Sequence, residues 1–173
     1  MAKSFLNNHK VRGLRNNNPG NLIRTSIAWQ GKIAYSQSKD LKFEQFTNLL
    51  YGLRAMFKDF ITDINKGKNT VRKLIYEYAP PNENDTEMYI NKVCKSIGVK
   101  PDDVISKVNN QFLILLGRAI IKVELGIYHA EITDANLNDA LVLLGDVSTS
   151  KLTVTIKKGY KFLPVLAFLL FFF

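Results

Sequence analysis

A series of amphipathic helical segments between residues 48 and 144 constrains the fold more than any other feature of the chain. In the first segment, which begins near Asn48 and ends at Gly67, apolar side chains recur every three or four residues and so share one helix face. That stripe consists of Leu49, Leu53, Met56, Phe57, Phe60, Ile61 and Ile64. Periodicity, capping residues and glycine or proline stops predict further helices. They are Thr70–Tyr78, a helix capped by Asn84 or Asp85 and closed by Gly98, Gln111–Leu125 and Asn136–Leu144. A short turn is predicted at Asp102–Ser106.

The region before these helices predicts a small β-hairpin lobe. Ile27–Tyr35 and Leu41–Phe46 are short enough and rich enough in strand-forming residues to pair, with Gly31 and residues 36–39 as breaks. Met1–Val11 is expected to form a polar arm. The predicted fold class is therefore mainly α, with a minor β part.

The C-terminal end predicts a separate hydrophobic tail. Phe162–Phe173 contains no charged residue, but as a helix it would span only about 18 Å, short of the roughly 30 Å hydrocarbon core of a bilayer. Residues 147–161 form a basic linker in which Lys157 and Lys158 precede Lys161. We expect the tail to insert into one leaflet while these lysines contact anionic headgroups. The alternative is a terminal strand or helix that packs on the domain.

The net charge of +9 is concentrated in the first third of the chain, where residues 1–60 hold ten basic side chains and three acidic ones. A basic face attracts polyanions such as nucleic acid, anionic lipid or an acidic cell wall. No recognisable nucleic-acid-binding motif accompanies the charge, so we expect no specific nucleic-acid partner. Residues 1–15 lack the apolar segment of a secretory signal, which favours delivery by a virion or a similar route.

The metal-binding residue types are few. His9 and His129 have no partner at metal-ligand spacing, and Cys94 is expected to be a core residue. We therefore expect no metal and no cofactor.

An asparagine-rich motif begins a set of blocks that resembles a known family. Residues 12–24 read RGLRNNNPGNLIR. The later blocks are Trp29-Gln30-Gly31, Asp40 with Phe43 and Phe46, Gly52 with Arg54-Ala55, Thr70, Tyr78-Ala79-Pro80-Pro81, Glu83 to Thr86, and Tyr89. Over residues 12–128 the set resembles phage virion structural proteins and lytic transglycosylases. It is also similar to the latter part of flagellar-type N-acetylglucosaminidases of the lysozyme-like superfamily.

The resemblance implies that residues 12–146 form a lysozyme-like domain that cleaves the glycan strands of peptidoglycan, carried by a phage virion beside other virion proteins. It leaves open whether the reaction is that of a transglycosylase, a muramidase or a glucosaminidase. One part departs from the pattern, because those enzymes carry a catalytic glutamate on a helix before the asparagine-rich turn. Here only Met1–Arg15 precedes the turn, without a glutamate. Either the protein is an inactive wall-binding or structural descendant, or its acid comes from elsewhere.

Glu124 is the leading candidate for that acid. Glycoside cleavage needs a carboxyl group that stays protonated near neutral pH, as apolar surroundings favour. Glu124 is the only acidic residue of the apolar helix Gln111–Leu125, and the negative end of the helix dipole raises the pKa of a carboxyl there. If the domain is circularly permuted relative to its superfamily, Glu124 should lie near Asn17, Asn21 and Tyr78. The alternative is a solvated surface glutamate.

Two further carboxylates are candidates for catalysis. Asp40 matches an acid in the hairpin region of the family and could orient water or sugar, or it could be a turn aspartate. Glu83 follows Pro80-Pro81 and could reach a cleft, or it could serve helix capping with the residues after it. The remaining glutamates before and after them are expected to be surface charges: Glu44, Glu77, Glu87 and Glu131.

Five residues are candidates for binding the sugar. Asn17, Asn18 and Asn21 could exchange hydrogen bonds with acetamido groups, although asparagine also suits turns for local reasons. Trp29 could stack on a sugar face or anchor the hairpin core. Tyr78 matches a tyrosine that lines the cleft of the superfamily, and it could equally belong to the core.

Overall fold

The computed structural model describes residues 3–82 and 85–145. This part of the chain is mainly helical and contains six α-helices and one 3₁₀ helix. The α-helices are α1 (Arg12–Arg15), α2 (Leu49–Asn65), α3 (Val71–Tyr78), α4 (Thr86–Ile97), α5 (Asn110–Leu125) and α6 (Asp134–Leu144). The 3₁₀ helix, Gly126–Glu131, directly follows α5. Of these elements, α1 and the 3₁₀ helix are not evident from the sequence pattern.

The predicted helices α2 to α6 are confirmed, and side-chain caps explain where they begin. Each cap oxygen accepts a hydrogen bond from a backbone N–H group of the first turn, which would otherwise lack a partner. The caps are Asn48, Thr70, Asp85, Asn109 and Thr133. Gly98 ends α4 in the left-handed region, at φ 75°. The short turn predicted at Asp102–Ser106 lies at Pro101 and Asp102, and Val104 then forms an isolated bridge with Thr70.

One core joins the long helices. Helix α2 packs on α6, and α5 packs on α4, on α6 and on the 3₁₀ helix. The side chains at their contacts are fully buried, among them Leu53, Phe57, Leu116 and Ile120. Burial of such side chains supplies most of the stabilisation that fixes the end of α5 against its neighbours.

The predicted β-hairpin lobe is wrong as a sheet. Within the described residues, the strands expected at Ile27–Tyr35 and Leu41–Phe46 are replaced by turns and by isolated bridges such as Ile23–Phe43. Side chains occupy the backbone groups that a sheet would pair. Asn18 bonds the carbonyl oxygens of Leu22 and Glu44, for example, at 2.9 and 3.0 Å. The segment is a loop held by polar side chains.

A second, smaller core lies under this loop segment. Its buried members are Leu22, Trp29, Phe46 and Ala55, with Tyr51 and Tyr78 packed against them. Trp29 is only 8% exposed, so its ring cannot present a face to a sugar. The expectation that Trp29 binds substrate is therefore corrected: Trp29 anchors the loop segment to α2.

The N-terminal arm is docked on the domain. Phe5 packs against the main core, and its N–H group donates to the side chain of Asn17 at 2.8 Å. The carbonyl oxygen of Lys3 accepts from the N–H group of Leu49 at the start of α2. In the described part of the chain, no helix is long and apolar enough to cross a bilayer. The predicted linker 147–161 and tail Phe162–Phe173 lie outside the described residues.

Candidate functional site

Glu124 lies in the last turn of α5 and is bonded to two distant parts of the chain. Its Oε2 atom accepts a hydrogen bond from Asn21 Nδ2 at 2.7 Å. Its Oε1 atom accepts another from the Tyr89 hydroxyl group, also at 2.7 Å. The contact with Asn21 agrees with the position predicted for Glu124 in a permuted domain. The hydrogen bonds fix the carboxyl group between the asparagine-rich turn and α4.

The environment of Glu124 favours the protonated carboxyl group. Burial raises its pKa, and the hydrogen bonds from Asn21 and Tyr89 only partly oppose that effect. The net pKa is above the ordinary value, as the sequence analysis expected. A half-buried carboxyl group of this kind can hold a proton closer to neutral pH than a solvated one can.

The asparagine-rich turn delivers Asn21 to this position. Asn21 adopts a left-handed backbone at φ 48°, a conformation that asparagine tolerates better than most residues. The preceding residue, Gly20, accepts a hydrogen bond at its carbonyl oxygen from the Tyr78 hydroxyl group. A Cβ atom at Gly20 would overlap that hydroxyl oxygen, so glycine permits the close approach. The Oδ1 atom of Asn21 is buried and has no partner among the described residues.

A cavity of about 330 Å³ opens beside Asn21 and Tyr78. Apart from those two residues it is lined by Leu22, Ile23, Thr25, Asp59, Asp63, Lys66, Lys68 and Glu77. Glu124 is not a lining residue of this cavity, and it contacts the cavity wall through its hydrogen bond with Asn21. The cavity is polar and has the volume of a small-ligand site, for which about 300–1,000 Å³ is usual.

Asp59 is one of three carboxylate residues that line this cavity, and the sequence did not indicate it as a site residue. Burial raises its pKa to about 6, and the neighbouring charge of Asp63 adds to the effect, while Lys68 and Lys66 oppose it. Asp59 stands on α2 between the apolar residues Phe57 and Phe60. The available signal was an acid beside the apolar stripe with a second acid one turn later, which disfavours two negative charges on one helix face.

Tyr78 lines the cavity together with Asp59, and both perturbed carboxyl groups act on the pKa of its hydroxyl group. Burial raises the pKa of its hydroxyl group well above the ordinary value, and the charges of Glu124 and Asp59 raise it further. Both carboxyl groups therefore lie within electrostatic range of one phenol. Tyr78 stays protonated and lines the cavity, as its proposed role at a cleft requires.

Asn17 and Asn18 are buried parts of the scaffold, which corrects the expectation that they bind sugar. Both are fully buried, and every hydrogen-bonding atom of their side chains has a partner within the chain. Asn17 bonds Phe5, Ser4 and Phe46, and Asn18 bonds Leu22 and Glu44. No donor or acceptor remains for an acetamido group. Only Asn21 of the three lines the cavity.

Asp40 belongs to a different cavity, of about 270 Å³. Burial alone would raise its pKa, but hydrogen bonds from Asn16, Phe43 and Lys42 and the charge of Arg12 lower it overall. Asp40 is therefore ionised near neutral pH, and the expectation that it orients water or sugar stays a prediction. The turn-aspartate alternative describes its contacts, because its Oδ1 atom accepts the N–H groups of Lys42 and Phe43.

The other predicted carboxylates divide into three cases. Glu83 lies outside the described residues, and the expectation that it is catalytic stays a prediction. Glu77 and Glu87 are exposed, as expected of surface charges. Glu44 is not a surface charge: it is fully buried and accepts hydrogen bonds from Lys32 at 2.8 Å and from Tyr35 at 3.1 Å.

Comparison with known proteins places these residues in a phage context. The chain is 33% identical over 123 residues to "Protein P5" of Pseudoalteromonas phage PM2. The match covers 69% of this chain and 74% of that protein. No family model matches the chain.

Proposed function

The chain belongs to the family of Protein P5 of Pseudoalteromonas phage PM2, and on that premise we propose that it cleaves the glycan strands of bacterial peptidoglycan with Glu124 as the general acid. The observation that carries the proposal is the position of Glu124 beside Asn21, with a raised pKa. A protonated carboxyl group can give its proton to the glycosidic oxygen as the bond to the sugar breaks.

The position of Glu124 also supports a permuted lysozyme-like arrangement. Asn21 and Glu124 are 103 positions apart in the sequence, yet their side chains share a hydrogen bond. In the superfamily that the motifs resemble, the acid-bearing helix precedes the asparagine-rich turn. Here α5 follows the turn and brings its last acidic residue to it. A circular permutation would account for both the resemblance and the missing N-terminal glutamate.

To act as a general acid, Glu124 has to pass its proton to the substrate, and the hydrogen bonds from Asn21 and Tyr89 hold its carboxyl group in place. A protonated Glu124 becomes a donor through one of its oxygens, and that O–H group can turn towards a ligand when Asn21 or Tyr89 gives up its bond to the same oxygen. Asn21 stands at the cavity wall, and its Oδ1 atom has no partner among the described residues. That oxygen is buried beside Gly13, so a sugar acetamido N–H group reaches it only after the Asn21 side chain rotates.

The relation to a phage protein supports the proposal that a virion carries this activity. Such an enzyme would open the cell wall locally during entry or release, beside other virion proteins. The predicted tail Phe162–Phe173 would hold it at an anionic membrane, a part of the proposal that rests on sequence alone.

An inactive wall-binding or structural protein is the second candidate. It is favoured by the burial of Asn17, Asn18 and Trp29, which leaves fewer groups for a sugar than the motifs suggested. It is also favoured by the fact that both oxygens of Glu124 already have donors within the chain.

Digestion of purified peptidoglycan by the full chain, followed by mass spectrometry of the released muropeptides, separates the two candidates. We expect soluble products from the wild type and at least a hundredfold slower release by Glu124→Gln, because the amide cannot donate an acid proton. Glu131→Gln is the matched control, since Glu131 lies just beyond α5 in the 3₁₀ helix and outside the cavity. Wall binding without products from the wild type would favour the inactive candidate.

A further inference from the structure

We infer that Asp59 is a catalytic base of the same site and that it takes a proton from a water molecule held in the cavity beside Asn21 and Tyr78. The inference rests on the proposed function and deepens it. It assigns the reaction to hydrolysis, so the cleaved strand ends in a reducing sugar and not in an internal anhydro ring.

The first argument is the freedom of the Asp59 carboxyl group. Asp59 is half-buried at the cavity wall, and among the described residues it has no hydrogen bond and no ion pair. Asp63, one turn further along α2, differs in this respect because Lys68 holds it at 3.2 Å. Lys68 also contacts Glu77, at 3.1 Å, so its charge is shared by two carboxylates other than Asp59. Asp59 is left to interact with whatever occupies the cavity.

The second argument is the relation of Asp59 to Glu124. Asn21 lines the cavity together with Asp59 and donates a hydrogen bond to Glu124, so the two carboxyl groups flank one wall residue and come from different helices, α2 and α5. Inverting glycoside hydrolases use one carboxyl group on the leaving-group side and a second that activates water. With a pKa of about 6, Asp59 is mostly ionised at neutral pH and is still basic enough to accept a proton.

The proposed step balances without any further reactant. The water oxygen forms a bond to the anomeric carbon while Asp59 takes one of the water protons. The bond from the anomeric carbon to the glycosidic oxygen breaks, and its electron pair stays on that oxygen. Glu124 donates its proton to the same oxygen. The products are one sugar with a new reducing end and one with a free hydroxyl group, and solvent returns the proton from Asp59 to Glu124.

The groups that face Asp59 set its pH dependence. Asp63 and, from α3, Glu77 favour the protonated form of Asp59. Lys66 and Lys68 favour its ionised form. The low-pH limb of kcat/KM should therefore fall near pH 6. The same limb should be lost from the residual activity of Asp59→Asn.

The test is digestion of peptidoglycan by the full chain in water enriched in oxygen-18, with mass spectrometry of the muropeptides. Hydrolysis predicts that the heavy isotope enters the new reducing end. Asp59→Asn should slow product release by about a hundredfold or more, whereas Asp63→Asn should cost less than tenfold. The Asp59→Ala variant should recover activity with sodium azide and yield a glycosyl azide, which a purely structural role of Asp59 would not give.

The outcomes distinguish this inference from the proposed function. Anhydro products that still depend on Glu124 would overturn the role of Asp59 and leave glycan cleavage standing. Undiminished activity of a folded Asp59→Asn protein would overturn it as well. If the wild type releases no products at all, the proposed function fails and the inference fails with it. Thermal unfolding of each variant shows whether lost activity reflects lost folding.

Discussion

Asp40 and Asp59 each line a cavity, and the two cavities are of similar size, about 270 and 330 Å³. Asp40 accepts hydrogen bonds from a side chain and two backbone N–H groups, and its pKa is lowered. Asp59 accepts none within the described residues, and its pKa is raised to about 6. A carboxylate that is saturated with donors stabilises a turn, whereas one that the fold leaves free can exchange protons with a ligand.

The same contrast divides the asparagine-rich turn. Asn17 and Asn18 are buried and saturated, while Asn21 has one oxygen without a described partner at the edge of a cavity. Three asparagines within five positions therefore do two different jobs. We expect substitutions at side chains whose hydrogen-bonding atoms all have partners to reduce stability, and substitutions at side chains that lack a partner to reduce activity.

The largest loss of stability is expected for Gly52→Ala, because Gly52 packs against the backbone of the asparagine-rich turn. A Cβ atom at Gly52 would overlap the carbonyl oxygen of Asn17, a backbone atom that cannot move without the whole turn. We expect a loss of more than about 4 kcal/mol in the free energy of unfolding, or no folding at all. Urea unfolding measures the loss.

Gly67→Ala is the control for that experiment. A Cβ atom at Gly67 meets nothing within 4 Å, so only its left-handed backbone, at φ 93°, is strained. We expect a cost of about 1–2 kcal/mol. Equal losses for the two variants would contradict the close-packed role of Gly52.

Trp29→Ala is expected to cost about 3–5 kcal/mol, the usual range for a buried aromatic side chain. Trp29 packs between the loop segment and α2. The loss of stability should come without a specific loss of sugar binding. Isothermal titration with chitooligosaccharides at a temperature where the variant is folded checks this, with Tyr76→Ala, an exposed ring on α3, as the control. Weakened binding with little change in unfolding would return Trp29 to the sugar site.

The helices were predictable because their signals are local. Asparagine, aspartate and threonine caps, glycine stops and apolar periodicity fix α2 to α6 from the sequence, and the structure confirms these helices. The loop segment was not predictable in the same way. Its backbone bonds come from side chains far along the chain, such as Asn18 to Glu44, which compete with strand pairing.

The site was predictable in part for a related reason. Glu124 is marked by its isolation in an apolar helix, so its raised pKa followed from the sequence. Asp59 carries no such mark, because its environment is created by Tyr78 and by the loop residues that close the cavity. The roles assigned to Asn17, Asn18 and Trp29 were wrong because burial depends on tertiary packing, and residue type alone does not reveal it.

A paired substitution of the two aspartates sharpens the comparison itself. Asp40→Asn places an amide N–H group among the donors that held the carboxylate, so we expect a loss of about 1–2 kcal/mol. Asp59→Asn removes a half-buried charge that repels Asp63, so we expect unchanged or slightly higher stability, by a few tenths of a kcal/mol. Thermal unfolding of both variants at neutral pH shows whether each substitution lowers or raises the free energy of unfolding. A destabilised Asp59→Asn protein would show that Asp59 has a structural partner and would remove the contrast.

The smallest effect concerns how pH acts on the two aspartates. The pKa of Asp59 is raised in the folded state, from 3.8 to about 6, so the folded protein binds this proton more tightly than the unfolded chain does. Its contribution to stability therefore increases as the pH falls from about 7 towards 4. Asp40 has a lowered pKa, so its contribution is present above the unfolded value of 3.8 and is lost as the pH falls through the folded value. The wild type should therefore gain stability relative to Asp59→Asn as the pH falls from 7 to 4, whereas its stability advantage over Asp40→Asn should hold over this window and shrink only below it. Chemical unfolding at several pH values gives both differences. A pH-independent difference for Asp59→Asn would mean that its carboxyl group titrates normally, and the base assigned to this cavity would then have to be another residue.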